Sequence, residues 1–206
     1  MLTVAVFGSG KGSNFEAIIR AIEGGKLPGV RVAVVISNNS GAGILALARS
    51  HGLPSLHITE RQFADEERYV ASLAATLKRH EVNFIALAGY MKRIPRQIVA
   101  TYRNRIVNIH PALLPKFGGK GMFGVHVHEA VLAAHETVSG ATVHIVDEEY
   151  DHGQIIVQRQ VPVLPGDTPD MLAARVLELE HTVYPEALLL FAAGKVPAPA
   201  ITAVPQ

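Results

Sequence analysis

Short apolar, β-branched runs alternate with amphipathic stretches from the N-terminus to about residue 110. Residues 2–7 form the first run and open directly onto Gly8-Ser9-Gly10-Lys11-Gly12-Ser13-Asn14. Phe15, Ile18, Ile19 and Ile22 follow at i, i+3, i+4, i+7 spacing, which places them on one helical face. Ser13 and Glu16 stand at capping-box spacing. This predicts that the Ser hydroxyl and the Glu carboxylate satisfy free N–H groups at the helix start. Gly24-Gly25 ends the helix. The segment reads as strand, glycine turn and helix.

The alternation continues. Residues 30–37 form a second buried strand before the loop Asn38-Asn39-Ser40-Gly41, and a helix through residues 45–49 stops at Gly52. Residues 54–58 read as a short strand, and Asp65 caps a helix with Tyr69, Leu73 and Leu77 inward. Residues 82–88 and 106–109 give the fourth and fifth strands. Strands alternating with helices imply βαβ crossovers. The texture then changes. Residues 114–124 are Gly-, Pro- and Lys-rich loop, followed by a helix over residues 125–134. Residues 141–146 and 154–163 are two strands around the acidic loop 147–153, too close for an intervening helix and hence an antiparallel hairpin. Thr168-Pro169 starts a long helix, Thr as N-cap and Pro at the first helical position, which runs to about Gly194. The Pro-rich tail frays from about residue 196. The predicted fold is α/β: a mainly parallel twisted sheet, helices on both faces, a C-terminal antiparallel hairpin and a long C-terminal helix. Neither an internal repeat nor a linker divides it, so residues 1–206 read as a single domain.

Composition supports this architecture: 49% of residues are hydrophobic and only 18% charged, as a sheet covered on both faces requires. A formal net charge of +1 argues against nucleic acid or membrane as a whole-surface partner. The lack of Cys excludes disulfides, thiolate nucleophiles and Cys-ligated zinc. No basic n-region precedes the first apolar run, and no apolar stretch is long enough to cross a bilayer. The expectation is a soluble, untargeted, cytoplasmic protein.

The glycine turn is the first candidate for chemistry. Backbone N–H groups at a helix start, approached through glycines, make an anion site, although the same turn can simply connect strand to helix. A dinucleotide site wants G-x-G-x-x-G and a carboxylate near the end of the second strand. Here the glycines are Gly8, Gly10 and Gly12, and the strand ends Ser37-Asn38-Asn39. A P-loop needs Gly-Lys followed directly by Ser or Thr, whereas Gly12 separates Lys11 from Ser13. A simpler phosphate ester fits better.

Asn108 and His110 are two apart at the end of a strand and point to one side. Pro111 favours an extended His110 and so keeps that register. They lie at the carboxyl end of a parallel strand, where open α/β sheets bind ligands, though polar residues leaving a strand are also ordinary loop anchors. Asp151 lies in the loop Asp147-Glu148-Glu149-Tyr150-Asp151-His152-Gly153, whose first three acids read as a solvated turn.

Three segments together carry a resemblance: Gly12-Ser13-Asn14, Asn108-Ile109-His110-Pro111-Ala112-Leu113-Leu114-Pro115, and His144 through Asp151 to Gly153. They resemble the folate-dependent formyltransferase family, over nearly the whole chain from Val4 to about Leu190. The N-x-H-P-x-L-L-P motif is common to that family and does not specify the acceptor. The Gly12-Ser13-Asn14 loop points to a phosphorylated ribose. The resemblance implies a Rossmann-like fold and transfer of the formyl group of 10-formyltetrahydrofolate, the co-substrate, to the amine of 5-phosphoribosylglycinamide in purine biosynthesis. Related members carry an additional domain, for which this length leaves no room.

Carried over residue by residue, Asn108, His110 and Asp151 are catalytic. Asn108 and protonated His110 donate to the developing oxyanion. Asp151 raises the pKa of His110 and holds it cationic, so that His110 can protonate the leaving nitrogen. Gly12, Ser13 and Asn14 hold the ribonucleotide phosphate and Glu180 contacts its ribose. Met91, Lys92, Arg93 and Ile94 line the folate pocket, largely through backbone groups. Asn108 contributes to that pocket, and Asp147 to Asp151 form its other wall. Lys92, Arg93 and Arg68 are candidates for the negative glutamate tail of folate. His144 supports the site as a hydrogen-bonded strand histidine. The partners are thus small molecules, bound by a monomer or homodimer.

Two departures stand out. Gly118-Gly119-Lys120-Gly121-Met122-Phe123-Gly124 enlarges the loop after Pro115, and Leu177 occupies a position that is polar in some relatives. His126, His128, His144 and His152 raise the question of a metal. His126 and His128 lie i, i+2 on a helix and so on different faces, unlike a helical zinc pair. No metal is expected, and the His residues other than His144 read as surface groups. Two rivals remain: a formyltransferase for another amine such as an amino-sugar nucleotide, and a non-catalytic phosphate-binding module.

Overall fold

A computed structural model describes residues 1–197, with the remaining Pro-rich tail outside the described residues. Among the described residues seven strands form one sheet: β1 (Leu2–Phe7), β2 (Val30–Ser37), β3 (Ser55–His57), β4 (Phe84–Leu87), β5 (Ile106–His110), β6 (Val138–Ile145) and β7 (Ile155–Pro162). Their order is β3-β2-β1-β4-β5-β6-β7. Pairing is parallel from β3 through β5 and antiparallel from β5 to β6 and from β6 to β7.

Strand alternation splits the core in two, because successive side chains point to opposite faces. On β1, Val4 and Val6 pack on one face while Ala5 and Phe7 pack on the other. The first face is covered by α1 (Ser13–Glu23), α2 (Gly43–Ser50) and α6 (Pro169–Ala192). The second is covered by α3 (Glu66–Arg79) and α4 (Arg96–Thr101). The helix α5 (Val125–Ala133) joins a smaller cluster through Val131, with Leu172 and Val176 of α6. The predicted layers and the C-terminal hairpin and helix are all present.

Three local expectations differ. Ser13 does not cap α1: Gly12 is the N-cap, at φ 91°, and no side chain caps that end. Ser13 is already helical, and Glu16 instead meets Arg20 one turn on. The capping box that does form joins Thr59 and Gln62, around a short 3₁₀ turn at Glu60–Gln62. Finally, α4 was not anticipated, since six residues are too few to show a helical period. Asp65 and Thr168 cap α3 and α6 as predicted, accepting from the amides of Arg68 and Met171.

Gly12 is required by packing as well as by conformation. A Cβ there would lie 2.8 Å from Ile44 Cβ and 2.9 Å from Ile44 Cα, in addition to the left-handed φ. Gly12→Ala should therefore destabilise the protein by about 2 kcal/mol, which a thermal melt would register as a lowered Tm. An unchanged Tm would mean that Ile44 moves aside freely.

Candidate active site

The carboxyl ends of β4 and β5 open on a cavity of about 300 Å³, which Asn14 of α1 also lines. That position follows from the topology: the strand order turns from β1 towards β2 on one side and β4 on the other, and such switch points are where open α/β sheets bind ligands.

On β5, Val107 and Ile109 join the core of the first face, while Ile106, Asn108 and His110 alternate onto the second. Asn108 and His110 thus leave the sheet together and line the cavity. The antiparallel partner supplies the rest: Asn108 lies opposite His144, and His110 opposite Thr142. Thr142 fixes the chain just beyond the motif. Its hydroxyl donates to the Ala112 carbonyl at 2.6 Å and accepts from the Leu114 amide and from Gln158 Nε2.

Asp151 joins the two histidines. Its Oδ2 lies 3.6 Å from His110 Nδ1 and its Oδ1 lies 3.4 Å from His144 Nε2. The carboxylate also accepts from the Gly119 amide at 2.9 Å. His144 Nδ1 donates to the Ile145 carbonyl at 2.9 Å, so the ring is fixed with that nitrogen protonated. Its Nε2 stands 3.2 Å from Asn108 Nδ2. A neutral His144 accepts there from Asn108, and a protonated one can donate to Asp151. Asn108 Nδ2 carries two hydrogens, so one remains for a ligand.

Electrostatics correct one expectation. Burial pulls the His110 imidazole below its ordinary pKa, and the opposing effects of Asp151 and the Phe117 carbonyl do not overcome it. His110 is therefore neutral at neutral pH in the unliganded site rather than held cationic. Its Nε2 is occupied as well, donating to the Phe117 carbonyl at 2.7 Å. Burial acts on Asp151 in the raising direction. The combined hydrogen bonds and charges of His144, His110 and the Gly119 amide outweigh it and leave that carboxyl below its ordinary range.

At the other end of the cavity α1 meets α6. Buried Asn14 donates from Nδ2 to Glu180 Oε2 at 2.6 Å, and its Oδ1 has no partner among the described residues. Glu180 is 8% exposed, and burial pushes its pKa up to about 7 against the opposing effect of Asn14. One turn further along α6, Tyr184 donates to the carbonyls of Leu87 and Val107 and so fixes the helix on β4 and β5.

A family profile described as formyl transferase matches residues 2–188. The chain belongs to the formyl transferase family. A phosphoribosylglycinamide formyltransferase from Vigna unguiculata, named as chloroplastic, is 45% identical over 185 residues; the match covers 90% of this chain and 59% of that protein. The chain thus spans about three fifths of that curated relative's length. The solved structure of glycinamide ribonucleotide transformylase 1 from Symbiobacterium toebii has a TM-score of 0.89 and 39% identity, covering 98% of this chain and 92% of that one. For phosphoribosylglycinamide formyltransferase from Brucella melitensis the TM-score is 0.84 and the identity 42%, with 96% and 99% covered.

In this formyl transferase family member, the predicted site residues divide into those the cavity gathers and those it does not. Asn14, Met91, Lys92, Arg93, Ile94, Asn108, His110, His144, Asp147, Asp151 and Glu180 all line it. Gly12 and Ser13 do not. Gly12 packs on Ile44, and Ser13 faces a separate groove between α1 and α6 beside Arg20 and Lys26. The Met91 amide is spent on Ser9 Oγ at 2.8 Å, which limits that segment's backbone groups for ligand. Arg68 pairs with Asp65 away from the cavity, and Arg93 is turned onto Glu148 and Tyr150. Lys92 remains exposed at the rim.

The histidines other than His144 are not all superficial. His126 and His152 are exposed and pair with Glu129 and Asp147. His128 is buried, its Nδ1 has no partner among the described residues, and burial lowers its pKa. The opposite sides taken by His126 and His128 agree with their i, i+2 spacing. Residues not anticipated in the lining include Leu87, Tyr90, Val99 and Phe123. The aromatic residue just before Met91 was the available signal for Tyr90.

Proposed function

We propose that residues 1–206 act as one formyltransferase domain that moves the formyl group of 10-formyltetrahydrofolate onto the amine of 5-phosphoribosylglycinamide. The observation that carries this reading is the Asp151 carboxylate set between His110 and His144, with Asn108 hydrogen-bonded to His144, inside a cavity that ends at Asn14 and Glu180. Relatives and solved structures with phosphoribosylglycinamide formyltransferase in their names support the same acceptor. Both proposed substrates are small molecules, and among the described residues no helix is long and apolar enough to cross a membrane. A cytoplasmic location and a monomeric or dimeric state belong to the proposal.

The chemistry follows from the donors. The acceptor amine attacks the formyl carbon, a C–N bond forms, and the carbonyl π pair moves onto oxygen. The free hydrogen on Asn108 Nδ2 donates to that oxygen. Collapse restores the carbonyl and breaks the bond to the folate nitrogen. The amine loses one proton and the folate nitrogen gains one, so no net proton is consumed. Asp151, ionised well into the acid range, accepts a proton from the amine through water and passes it to His110 Nδ1, and the resulting imidazolium gives its Nε2 proton to the leaving nitrogen. For that, the His110 Nε2 hydrogen must leave the Phe117 carbonyl, so ligand entry and movement of the 117–124 loop are linked. At the far end, Asn14 Oδ1 and Glu180 accept from ribose hydroxyls, and the first turn of α1 with Ser13 receives the phosphate.

The test incubates the protein with 10-formyltetrahydrofolate and 5-phosphoribosylglycinamide and follows folate absorbance, with the ribonucleotide omitted to measure simple hydrolysis. Acceptor-dependent turnover is expected. Asn108→Ala should lower kcat by about 10²-fold while ribonucleotide binding persists. Ligand binding without any turnover would identify a phosphate-binding module. Turnover only with an amino-sugar nucleotide would overturn the acceptor.

A further inference from the structure

The cavity has two facing walls: the segment 91–94 between β4 and α4, and the loop 147–151 between β6 and β7. Arg93 crosses from one to the other. Its Nη2 donates to the Glu148 carbonyl, and its guanidinium carbon lies 5.5 Å from the centre of the Tyr150 ring. Both contacts lie just before Asp151 in the chain, and the Asp151 backbone adopts a left-handed φ of 54°. A non-glycine residue adopts that conformation at some cost, smaller for Asp than for most, and contacts around the turn help to hold it. The turn before it is already tightened by the Glu149 amide donating to Asp147 Oδ1 at 2.8 Å. A planar guanidinium suits both tasks at once, since its edge donates while its face stacks.

We propose that Arg93 is a positioning residue, a clasp between the two walls that holds the 147–151 loop and with it the Asp151 carboxylate, rather than a cation for the glutamate tail of folate. The inference rests on the formyl-transfer reading for its kinetic consequences, but the clasp itself is a property of the free protein. Loosening the loop widens the folate side of the cavity and leaves the Asn14–Glu180 end untouched.

The experiment compares Arg93→Ala, Arg93→Lys, Tyr150→Leu and the Arg93→Ala/Tyr150→Leu double variant in the full chain. Amide hydrogen exchange across residues 147–151 is measured without ligand, and KM is measured for both substrates, with 10-formyltetrahydrofolate carrying one or three glutamates. Exchange should quicken in both single variants and no further in the double. The folate KM should rise roughly tenfold, by the same factor for both tail lengths, with the ribonucleotide KM unchanged. Arg93→Lys, lacking the planar fork, should recover little. Unchanged exchange in the single variants overturns the clasp, as do additive effects in the double. A KM penalty that grows with tail length makes Arg93 a tail contact instead. Wild-type protein without turnover defeats the formyl-transfer reading alone, because the exchange measurement still decides the clasp.

Discussion

Asp151→Asn should reduce kcat by about 10³-fold, the largest loss expected from any one substitution in this protein. The comparison is with other carboxylates that orient a catalytic imidazole, where the amide replacement costs about 10⁴-fold with little change in shape. Here the carboxylate faces two histidines at 3.6 and 3.4 Å, and an amide can satisfy neither in the same way. The pH dependence should move as well. Burial lowers the His110 pKa and Asp151 opposes that, so removing the charge lets the pKa fall further. The limb of the pH–rate profile that requires protonated His110 then shifts to lower pH, and the loss is greatest at neutral pH. A profile that keeps its shape would break the proposed pairing. Stability gives an independent check. The Asp151 carboxyl is below its ordinary value in the folded state, so its stabilising contribution is present above its unfolded pKa and fades as pH falls through the folded one. Wild type should exceed the Asn variant in stability at neutral pH and converge with it in strong acid.

Glu180→Gln should act in the opposite sense on stability while impairing the substrate. Folding raises the Glu180 pKa from 4.5 to about 7. The folded state therefore favours the protonated form, and the associated stability is present below the unfolded pKa and lost as pH rises through about 7. The shift corresponds to roughly 3 kcal/mol across that window. Glutamine carries no charge, so the variant should match wild type near pH 4 and exceed it at pH 8. The buried histidines, whose pKa values are lowered, tilt both proteins equally the other way, so the difference between their melting curves isolates residue 180. In the same variant the ribonucleotide KM should rise and the folate KM hold. Stability gained together with ribonucleotide affinity lost would mark a carboxylate retained for binding at the expense of folding. A variant no more stable at pH 8 would mean that Glu180 is solvated in the folded protein.

The frame of this fold was legible because strand and helix periods are local properties. The period of two placed Asn108 and His110 on one side, whereas His144 reaches Asn108 through the β5–β6 pairing, which no local period shows. Asn14, Ile94 and Glu180 reached the cavity as expected from the family resemblance. What stayed hidden depends on groups far apart in the chain. Burial of His110 decides its charge, and the Phe117 carbonyl occupies its Nε2, but neither is visible from the motif. The Ser13 capping box failed because the place of the cap is set by Gly12 packing on Ile44 of another helix. His128 was taken for a surface group since nothing in its own helix tells which side the core lies on. Arg93 offered a charge that suggests a ligand, and only the distance to Tyr150 shows the charge already in use.

The hydrogen bond from Asn14 to Glu180 joins positions 166 residues apart. During synthesis Asn14 is made long before the last helix, and its partner Glu180 arrives only with that helix. Closure across so long a span is slow compared with local strand and helix formation. Occupancy of that end of the cavity is consequently a late event in folding, and ligand bound there should slow unfolding more than it speeds folding.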